Sequence, residues 1–288
     1  MMKCTIRITK ATTLAVAMTL LNSYMAAADE GRTVTIALEG AYEPWNLTRS
    51  DGTLDGFEPE LAKYLCEKAK LSCKLIANDW DGMFTGLQAG KFDVIMDGVN
   101  ITPERKKQVA FSIPYANTPA AFVVSKTGSL NELPDLKTVL KLDDAGKGDS
   151  DAEAVISRLR KALTGKTIGV QISTVYSDFI HKTFGDVADI REYKTPPEHD
   201  LDLTVGRIDV AFDDATYFGS ALAKPDNADL AFSGPEVGGA IWGGGQALAF
   251  RTDDADLKTK FDGAIKAALA DGTVKTLAQK WFKRDVSP

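Results

Sequence analysis

The sequence predicts an α/β protein made of two units, each with a largely parallel sheet and covering helices. Segments 33–38, 71–76 and 94–96 are apolar or alternate like strands, and helical spacing fills the stretches between them. The order strand, helix, strand, helix, strand is typical of a parallel sheet. A second run of strands and helices starts at Thr167 and predicts the second unit.

Length, composition and charge define the broad class of protein. The 288 residues are enough for two domains of the usual ~100–200 residues each. A hydrophobic fraction of 44% predicts a folded core rather than a disordered chain. The formal charge of −6, with no basic block beyond the N-terminus, argues against a surface that binds nucleic acid.

Residues 1–28 have the pattern of a secretory signal peptide. A positively charged start is followed by the short apolar segment 14–21 and by the small residues 26–28, so we expect cleavage near Asp29. The apolar segment is too short to span a bilayer permanently. The pattern therefore predicts an exported protein, and cleavage would remove three cationic residues and no acid.

The first unit begins with the alternating strand 33–38, which is followed by a loop, 41–45, that carries two aromatic rings. Apolar residues at helical spacing predict helices over 59–69 and 83–89, and strand 71–76 lies between them. This alternation leads directly into the stretch that carries the strongest indication of a ligand site.

That stretch is 93–105. Its short buried strand is followed by three residues that suit a ligand crevice, Asp97, Gly98 and Asn100. Residues 102–103 predict a helix start, which would place Arg105 on the first helical turn. An arginine there can hold a carboxylate through two parallel hydrogen bonds. The alternative is an ordinary strand–loop–helix junction with no ligand.

Cys66 and Cys73 are the two cysteines that would remain after cleavage. An even number of cysteines in an exported chain favours a disulfide. The bond would enclose six residues and contribute about 2 kcal/mol. The alternative is a metal site, but the histidines, His181 and His199, lie far away in the sequence.

Residues 129–164 are highly charged, and we predict a surface insertion with one amphipathic helix over 151–163 and no ligand role. The second unit follows, with a turn at 196–197 and helices from Val175 and over 200–205. Its predicted strands are 167–170, 190–193 and 208–212. The last strand ends at Asp213 and Asp214, much as the central strand of the first unit ends at an acid.

The chain returns through the glycine-rich segment 238–245, strand 246–250 and helices over 257–270 and 274–282. A phosphate-binding role for the glycines is disfavoured, because the strand–turn–helix spacing that such loops need is absent. A hinge or a turn is the better interpretation.

Several motifs, taken with the order of elements, resemble a known family. They are residues 56–61, the Cys66/Cys73 pair and residues 93–105, 206–209 and 271–273. Together they resemble the periplasmic solute-binding proteins of polar amino-acid ABC importers (extracellular solute-binding family 3), close to the lysine/arginine/ornithine, histidine and octopine/nopaline binders. The resemblance covers essentially all of the chain after the signal peptide.

The resemblance implies the type II periplasmic-binding-protein fold, with two α/β lobes that close on a ligand around hinge strands. Lobe 1 would comprise residues 29–116 and 246–288, and lobe 2 would comprise residues 120–237 with the insertion. Segments 117–119 and 238–245 would be the two hinges.

The resemblance also implies roles for individual residues at the amino-acid end of a ligand. Arg105 matches the arginine that pairs with the α-carboxylate, with Gly98 and Thr174 as further contributors. Asn100 occupies a position that commonly contacts the α-ammonium, and Asp214 matches the carboxylate that pairs with it.

At the side-chain end, Tyr42 and Trp80 match the aromatic pair that sandwiches the ligand. Glu39 matches the acid that recognises a basic side chain, and Asp97 would add a second acid, which favours a guanidinium and hence an arginine-like ligand. The alternative for both acids is strand-end solvation or a contact between lobes. Ser173 stands where a glycine is common, so the choice between arginine, a related amino acid and an opine stays open.

The implied function is a monomeric periplasmic receptor that delivers a basic amino acid or opine to an ABC permease in the inner membrane. No catalysis, cofactor, metal or nucleic acid is expected. One alternative is an exported dehydratase of prearomatic acids, which would use Glu39 or Asp214 as its acid or base. Another is an interaction module for a chemoreceptor, which does not exclude transport.

Overall fold

The computed structural model describes Met1 and residues 33–288, and residues 34–288 form one compact unit. The predicted signal peptide and its cleavage site lie outside the described residues. Among the described residues, no helix has both the length and the apolar composition needed to cross a membrane.

The first lobe is built on a sheet in which the described residues contribute five strands, in the order β5-β1-β6-β14-β7. These strands are β1 (Val34–Leu38), β5 (Cys73–Ala77), β6 (Val94–Ile95), β7 (Ala110–Phe111) and β14 (Ala249–Phe250). Strand β1 pairs in parallel with β5 and β6, whereas β14 pairs antiparallel with β6 and β7. The parallel part of this sheet is therefore formed by the strands of the predicted strand–helix alternation.

Helices cover this sheet and carry the crossover connections. They are α1 (Phe57–Ala69), α2 (Met83–Gln88), α7 (Ala255–Ala270) and α8 (Thr273–Trp281). The two C-terminal helices pack against α1, so the end of the chain completes the first lobe. A small antiparallel sheet lies beside them, with strands β2 (Ala41–Tyr42), β3 (Asn46–Thr48) and β4 (Leu54–Asp55).

The second lobe has a mixed sheet in the order β11-β10-β12-β8-β13-β9. Its strands are β8 (Ala120–Ser125), β9 (Val139–Leu142), β10 (Thr167–Gln171), β11 (Asp189–Tyr193), β12 (Val210–Asp214) and β13 (Leu230–Gly239). Its helices are α3 (Ser150–Leu163), α4 (Val175–Phe184), α5 (Pro196–Thr204) and α6 (Ala215–Ala221). The prediction of a two-lobe α/β fold is confirmed, and the residue boundaries of lobes and hinges stay predictions.

The segment between the lobes near residue 243 lies very close to the first lobe. A Cβ atom at Gly243 would come within 1.8 Å of the carbonyl oxygen of Ile101, and this glycine has a φ of +81°. The amide of Gly244 donates to the same carbonyl at 3.1 Å. The glycines here therefore permit close contact between backbones.

The predicted disulfide is confirmed. Cys66 on α1 is bonded to Cys73 at the start of β5, and their Cα atoms are 6.2 Å apart. The bond closes the connection between the first crossover helix and the edge strand of the first sheet.

Residues 129–164 contain the predicted amphipathic helix, here α3, but the segment is not confined to the surface of the second lobe. Strand β9 pairs in parallel with β13 and so becomes the edge of the second sheet. Apolar side chains of this segment lie in the core of the lobe: Leu133, Leu140, Leu142, Leu159 and Leu163. Their burial depends on the facing sheet, which the charged local composition did not indicate.

Local boundaries also differ from the predictions. The helix expected after Thr102 is a single 3-10 turn, Arg105–Lys107, because the chain returns at once to the sheet as β7. The turn expected at 196–197 is instead the start of α5, where Thr195 and Glu198 form a capping box. Helix α6 and strands β9 and β13 were not predicted.

Candidate functional site

A cavity of about 330 Å³, including its solvent-open mouth, lies where both lobes meet. All ten predicted ligand residues are among the described residues, and eight of them line the cavity: Glu39, Tyr42, Trp80, Asp97, Gly98, Asn100, Arg105 and Thr174. Ser173 lines a neighbouring cleft, and Arg105 and Val175 line both this cleft and the cavity. Asp214 lines neither the cavity nor the cleft.

Arg105 supplies the positive charge of the cavity. Its guanidinium donates to the carbonyl oxygen of Asn100 at 3.2 Å and lies 5.3 Å from the ring centroids of Trp80 and Phe84. Burial lowers the pKa of Arg105 to about 10, and Asp178 opposes this shift. The side chain stays charged at neutral pH, yet within residues 33–288 no carboxylate forms an ion pair with it.

The residues predicted to assist Arg105 have partners within the protein. The hydroxyl of Thr174 caps α4 by accepting from the amide of Ser177 at 3.0 Å, and it donates to the carbonyl of Gln171 at 2.7 Å. The amide of Gly98 donates to Glu58 at 2.7 Å. Gly98 has a φ of +57°, so its backbone conformation favours glycine at this place.

Asn100 and Ser173 contribute contacts to the opposite lobe or hinge. The side-chain amide of Asn100 donates to the carbonyl of Trp242 at 3.1 Å. The carbonyl of Ser173, a residue with a φ of +62°, accepts from the indole of Trp80 at 3.2 Å. Both predicted residues therefore also help to join the walls of the cavity.

Two acids, Glu39 and Asp97, also line the cavity. Glu39 accepts from the side-chain amide of Gln171 at 2.8 Å, and its own backbone amide donates to Asp97 at 3.2 Å. Asn46 donates to the same oxygen of Asp97 at 2.7 Å, while the second oxygen of Asp97 is buried without a hydrogen-bond partner.

Burial raises the pKa of both acids. It raises that of Glu39 to about 8, with Asp213 among the acids that add to the shift. It also raises the pKa of Asp97 well above its ordinary value, with contributions from Glu39 and Glu58. Within the described part of the chain no cation pairs with either acid, so the two acids are matched to a positive group.

The two predicted aromatic residues differ in their surroundings. Tyr42 is stacked on Tyr217 of the second lobe, with ring centroids 5.5 Å apart and planes inclined by 16°, and its hydroxyl donates to Asp213 at 3.0 Å. Trp80 instead faces the guanidinium of Arg105. Both rings line the cavity, and their predicted sandwich around a ligand stays a prediction.

Asp214 lies behind the wall of the cavity. It caps α6 by accepting from the amide of Thr216 at 2.7 Å, and its other oxygen accepts from the hydroxyls of Thr118 and Tyr176. Tyr176, which was not predicted, lines the cavity, so the contact of Asp214 with a ligand ammonium stays a prediction.

Sequence reasoning also missed Gln171 and Val175, which line the cavity beside Thr174. The signal was present, because Gln171 ends a buried strand and Val175 opens the following helix. Strand ends next to helix starts are where α/β sheets place ligands.

Tyr42→Phe tests the contact between lobes. The change keeps the stacked ring but removes the hydrogen bond to the buried carboxylate of Asp213. We expect ligand affinity to fall roughly 5–150-fold, because leaving a buried acceptor without its donor costs about 1–3 kcal/mol. Isothermal titration calorimetry measures the change. The matched control is Tyr64→Phe, which removes an exposed hydrogen bond to Asp271; equal affinities of all three proteins would contradict the expectation.

We expect His199 to make the stability of the second lobe depend on pH. It is fully buried, with Nδ1 3.1 Å from Asp200 and Nε2 3.3 Å from Asp213. Burial lowers the pKa of His199, but the two carboxylates more than offset this and raise it from 6.5 to about 9.

Because the pKa of His199 is higher in the folded state, its contribution is complete below about pH 6.5 and is lost as the pH rises through 9. We expect the free energy of unfolding to fall by roughly 3 kcal/mol over this interval. Urea unfolding at pH 6.5, 8 and 9.5 measures it. His181→Gln, at an exposed histidine, should keep the same pH dependence, and a flat profile in the unmodified protein would refute the assignment.

The chain is similar in sequence and in structure to known proteins. The family model of the bacterial extracellular solute-binding proteins, family 3, matches residues 34–284. The octopine-binding periplasmic protein of Rhizobium meliloti is 40% identical over 280 residues, covering 91% of this chain and 94% of that protein. The L-arginine-binding protein of Pseudomonas aeruginosa is 34% identical over 274 residues, covering 94% and 95%.

A solved structure of an ancestral arginine-binding protein bound to arginine has a TM-score of 0.72 at 27% identity. The match covers 87% of this chain and 98% of that one. These likenesses extend over nearly the full length of each protein, and therefore over both lobes.

Proposed function

Because the chain belongs to the bacterial extracellular solute-binding proteins of family 3, we propose that it binds an arginine-like amino acid or an opine for an ABC importer. The relatives named above bind octopine and arginine, according to their names. Both compounds contain a carboxylate and a guanidinium, which are the two groups that the cavity complements.

One observation carries the proposal: the cavity is lined by a guanidinium and by two carboxyl groups, and none of the three forms an ion pair within the described residues. Arg105 is available to a carboxylate, and Glu39 and Asp97 are available to a cation. A ligand with an acid at one end and a guanidinium at the other pairs with both kinds of group at once. Buried charges that find partners avoid a penalty of several kcal/mol.

In this proposal Arg105 holds the α-carboxylate through paired hydrogen bonds, and Trp80 supports both the guanidinium of Arg105 and the ligand stem. Thr174 lies at the N-terminus of α4, where an anion is favoured. Asn100 and Asp214 serve the α-ammonium, with Tyr176 between Asp214 and the cavity.

Hydrogen bonds across the cavity join the two lobes, and the closed state that they stabilise is the one that a permease would recognise. Glu39 bonds Gln171, Tyr42 bonds Asp213 and Trp80 bonds Ser173, each from the first lobe to the second. We propose that ligand binding stabilises this closure in the periplasm, and that the closed protein docks on an inner-membrane permease.

The direct test uses the chain from residue 29 onward. Thermal unfolding is measured with arginine, lysine, ornithine, histidine and octopine, and co-purified small molecules are identified by mass spectrometry. A ligand at 100 times its Kd adds about 2.7 kcal/mol of stability. We expect the guanidinium compounds to give the largest shifts, and no shift with any of the five would refute the proposal.

We propose a receptor and not a dehydratase. The two relatives named above are binding proteins, and the raised pKa of Glu39 is accounted for by burial near other acids. Incubation with prephenate and arogenate is expected to leave both unchanged, and turnover of either would overturn this part of the proposal.

A further inference from the structure

We propose that a guanidinium ligand expels a proton from the Glu39–Asp97 pair when it enters the cavity, so that binding exchanges a proton for a fixed cation. The inference rests on the proposed function and deepens it, since it names the charge that the ligand must carry. The inference also predicts that the protein distinguishes permanently cationic ligands from neutral ligands of the same shape.

The first step is the crowding of buried acids. Asp97 is 4% exposed and Glu58 is fully buried, and Glu39 lines the cavity next to them. The side-chain amide of Asn46 donates to both Glu58 and Asp97, at 2.8 and 2.7 Å, and so ties the two carboxyl groups together. Nearby carboxyl groups in a buried setting do not all ionise at neutral pH.

The second step is the unsatisfied oxygen of Asp97. Its Oδ1 accepts from Asn46 and from the backbone amide of Glu39, whereas Oδ2 is buried and has no partner. An ionised oxygen in that position would be costly, because a buried carboxylate needs a donor or a cation. The position therefore suits a proton in the empty cavity and a guanidinium donor in the occupied one.

The third step concerns the sign of the charge on the other groups around the Glu39–Asp97 pair. Three further acids act on Glu39 from neighbouring elements: Asp213, Asp79 and Glu198. Glu58 faces the hydroxyl of Tyr115, which donates to it, and Tyr42 donates to Asp213. Arg105 lines the same cavity and His199 contacts Asp213, and neither forms an ion pair with Glu39 or Asp97. The surroundings therefore favour protonation of the pair.

The exchange of one proton for one guanidinium balances in both charge and atoms. In the empty cavity the two carboxyl groups share a proton, and in the complex both are ionised against the guanidinium while the proton passes to solvent. The macroscopic pKa belongs to the pair, so the inference does not depend on which acid holds the proton. Burial raises the pKa of Glu39 to about 8, which places the exchange in the neutral range.

The test is calorimetric titration of the chain from residue 29 with arginine, in pairs of buffers that differ in ionisation heat. At pH 7 we expect at least half a proton released per arginine bound. Between pH 6 and 8 the affinity should rise with pH, by up to about tenfold per unit for one proton. Citrulline, a neutral analogue with the same number of chain atoms, should bind more weakly and release no proton.

Variants assign the exchange to the pair. Asp97→Asn cannot ionise and should release less than half as many protons, and Glu39→Gln provides an independent second variant should Asp97→Asn fold poorly. Asp81→Asn changes an exposed acid of the adjacent loop and should behave as the unmodified protein.

Two outcomes would be decisive against the inference. Arginine that binds with no buffer-dependent heat and with constant affinity from pH 6 to 8 overturns the proton exchange and leaves the proposed function intact. Failure of arginine and octopine to bind at any of these pH values overturns both.

Discussion

Replacing Arg105 with alanine is expected to weaken ligand binding by roughly 10²–10³-fold. The side chain is a cation that lines the cavity and has no ion-pair partner within residues 33–288, so the ligand carboxylate would lose both its charge partner and its paired donors. Titration calorimetry on the chain from residue 29 measures the affinity. Because the side chain of Arg105 makes one hydrogen bond within residues 33–288, to the carbonyl oxygen of Asn100, we expect the stability of the empty protein to change little.

Two further variants make this result specific. Arg105→Lys keeps the charge but loses the forked geometry, and its affinity should lie between those of the unmodified protein and Arg105→Ala. Arg158→Ala removes an exposed arginine that is paired with Asp135 on the second lobe, and should not alter binding. Binding within threefold of normal in Arg105→Ala would show that the carboxylate is held elsewhere.

Replacing Leu159 with alanine is expected to lower the free energy of unfolding by about 2–5 kcal/mol. Leu159 lies on α3, within the segment 129–164, yet its side chain is fully buried in the core of the second lobe. Removing three carbons there loses apolar burial and leaves a cavity. Urea unfolding followed by circular dichroism measures the change.

The matched control is Lys161→Ala, two residues further along the same helix and exposed, which should change stability by no more than about 0.5 kcal/mol. Equal stabilities of the two variants would contradict the expectation that burial of Leu159 stabilises the second lobe. The comparison therefore measures how much this segment contributes to the stability of the core.

The local sequence pattern was sufficient to predict the positions of several regular elements. Strand β1 and the helices α1, α3, α7 and α8 lie within two residues of their predicted bounds, since the periodicity of buried side chains is a property of neighbouring residues. The cysteine count and spacing indicated the disulfide. The strand exit before Arg105 indicated Asp97, Gly98, Asn100 and Arg105, because α/β sheets place ligands where their strands end. The family resemblance implied the other predicted residues that line the cavity: Glu39, Tyr42, Trp80 and Thr174.

Contacts between distant parts of the chain were decided by tertiary structure alone. Strand β9 became a sheet edge because β13, about a hundred residues later, supplied its partner. Tyr42 bonds Asp213 across 171 residues, and Asn46 bonds Asp97 across 51. The sequence by itself therefore determined many of the regular elements and the types of charge at the site. Only the folded chain determined which charges are left unpaired, because pairing depends on which distant groups come within hydrogen-bonding distance.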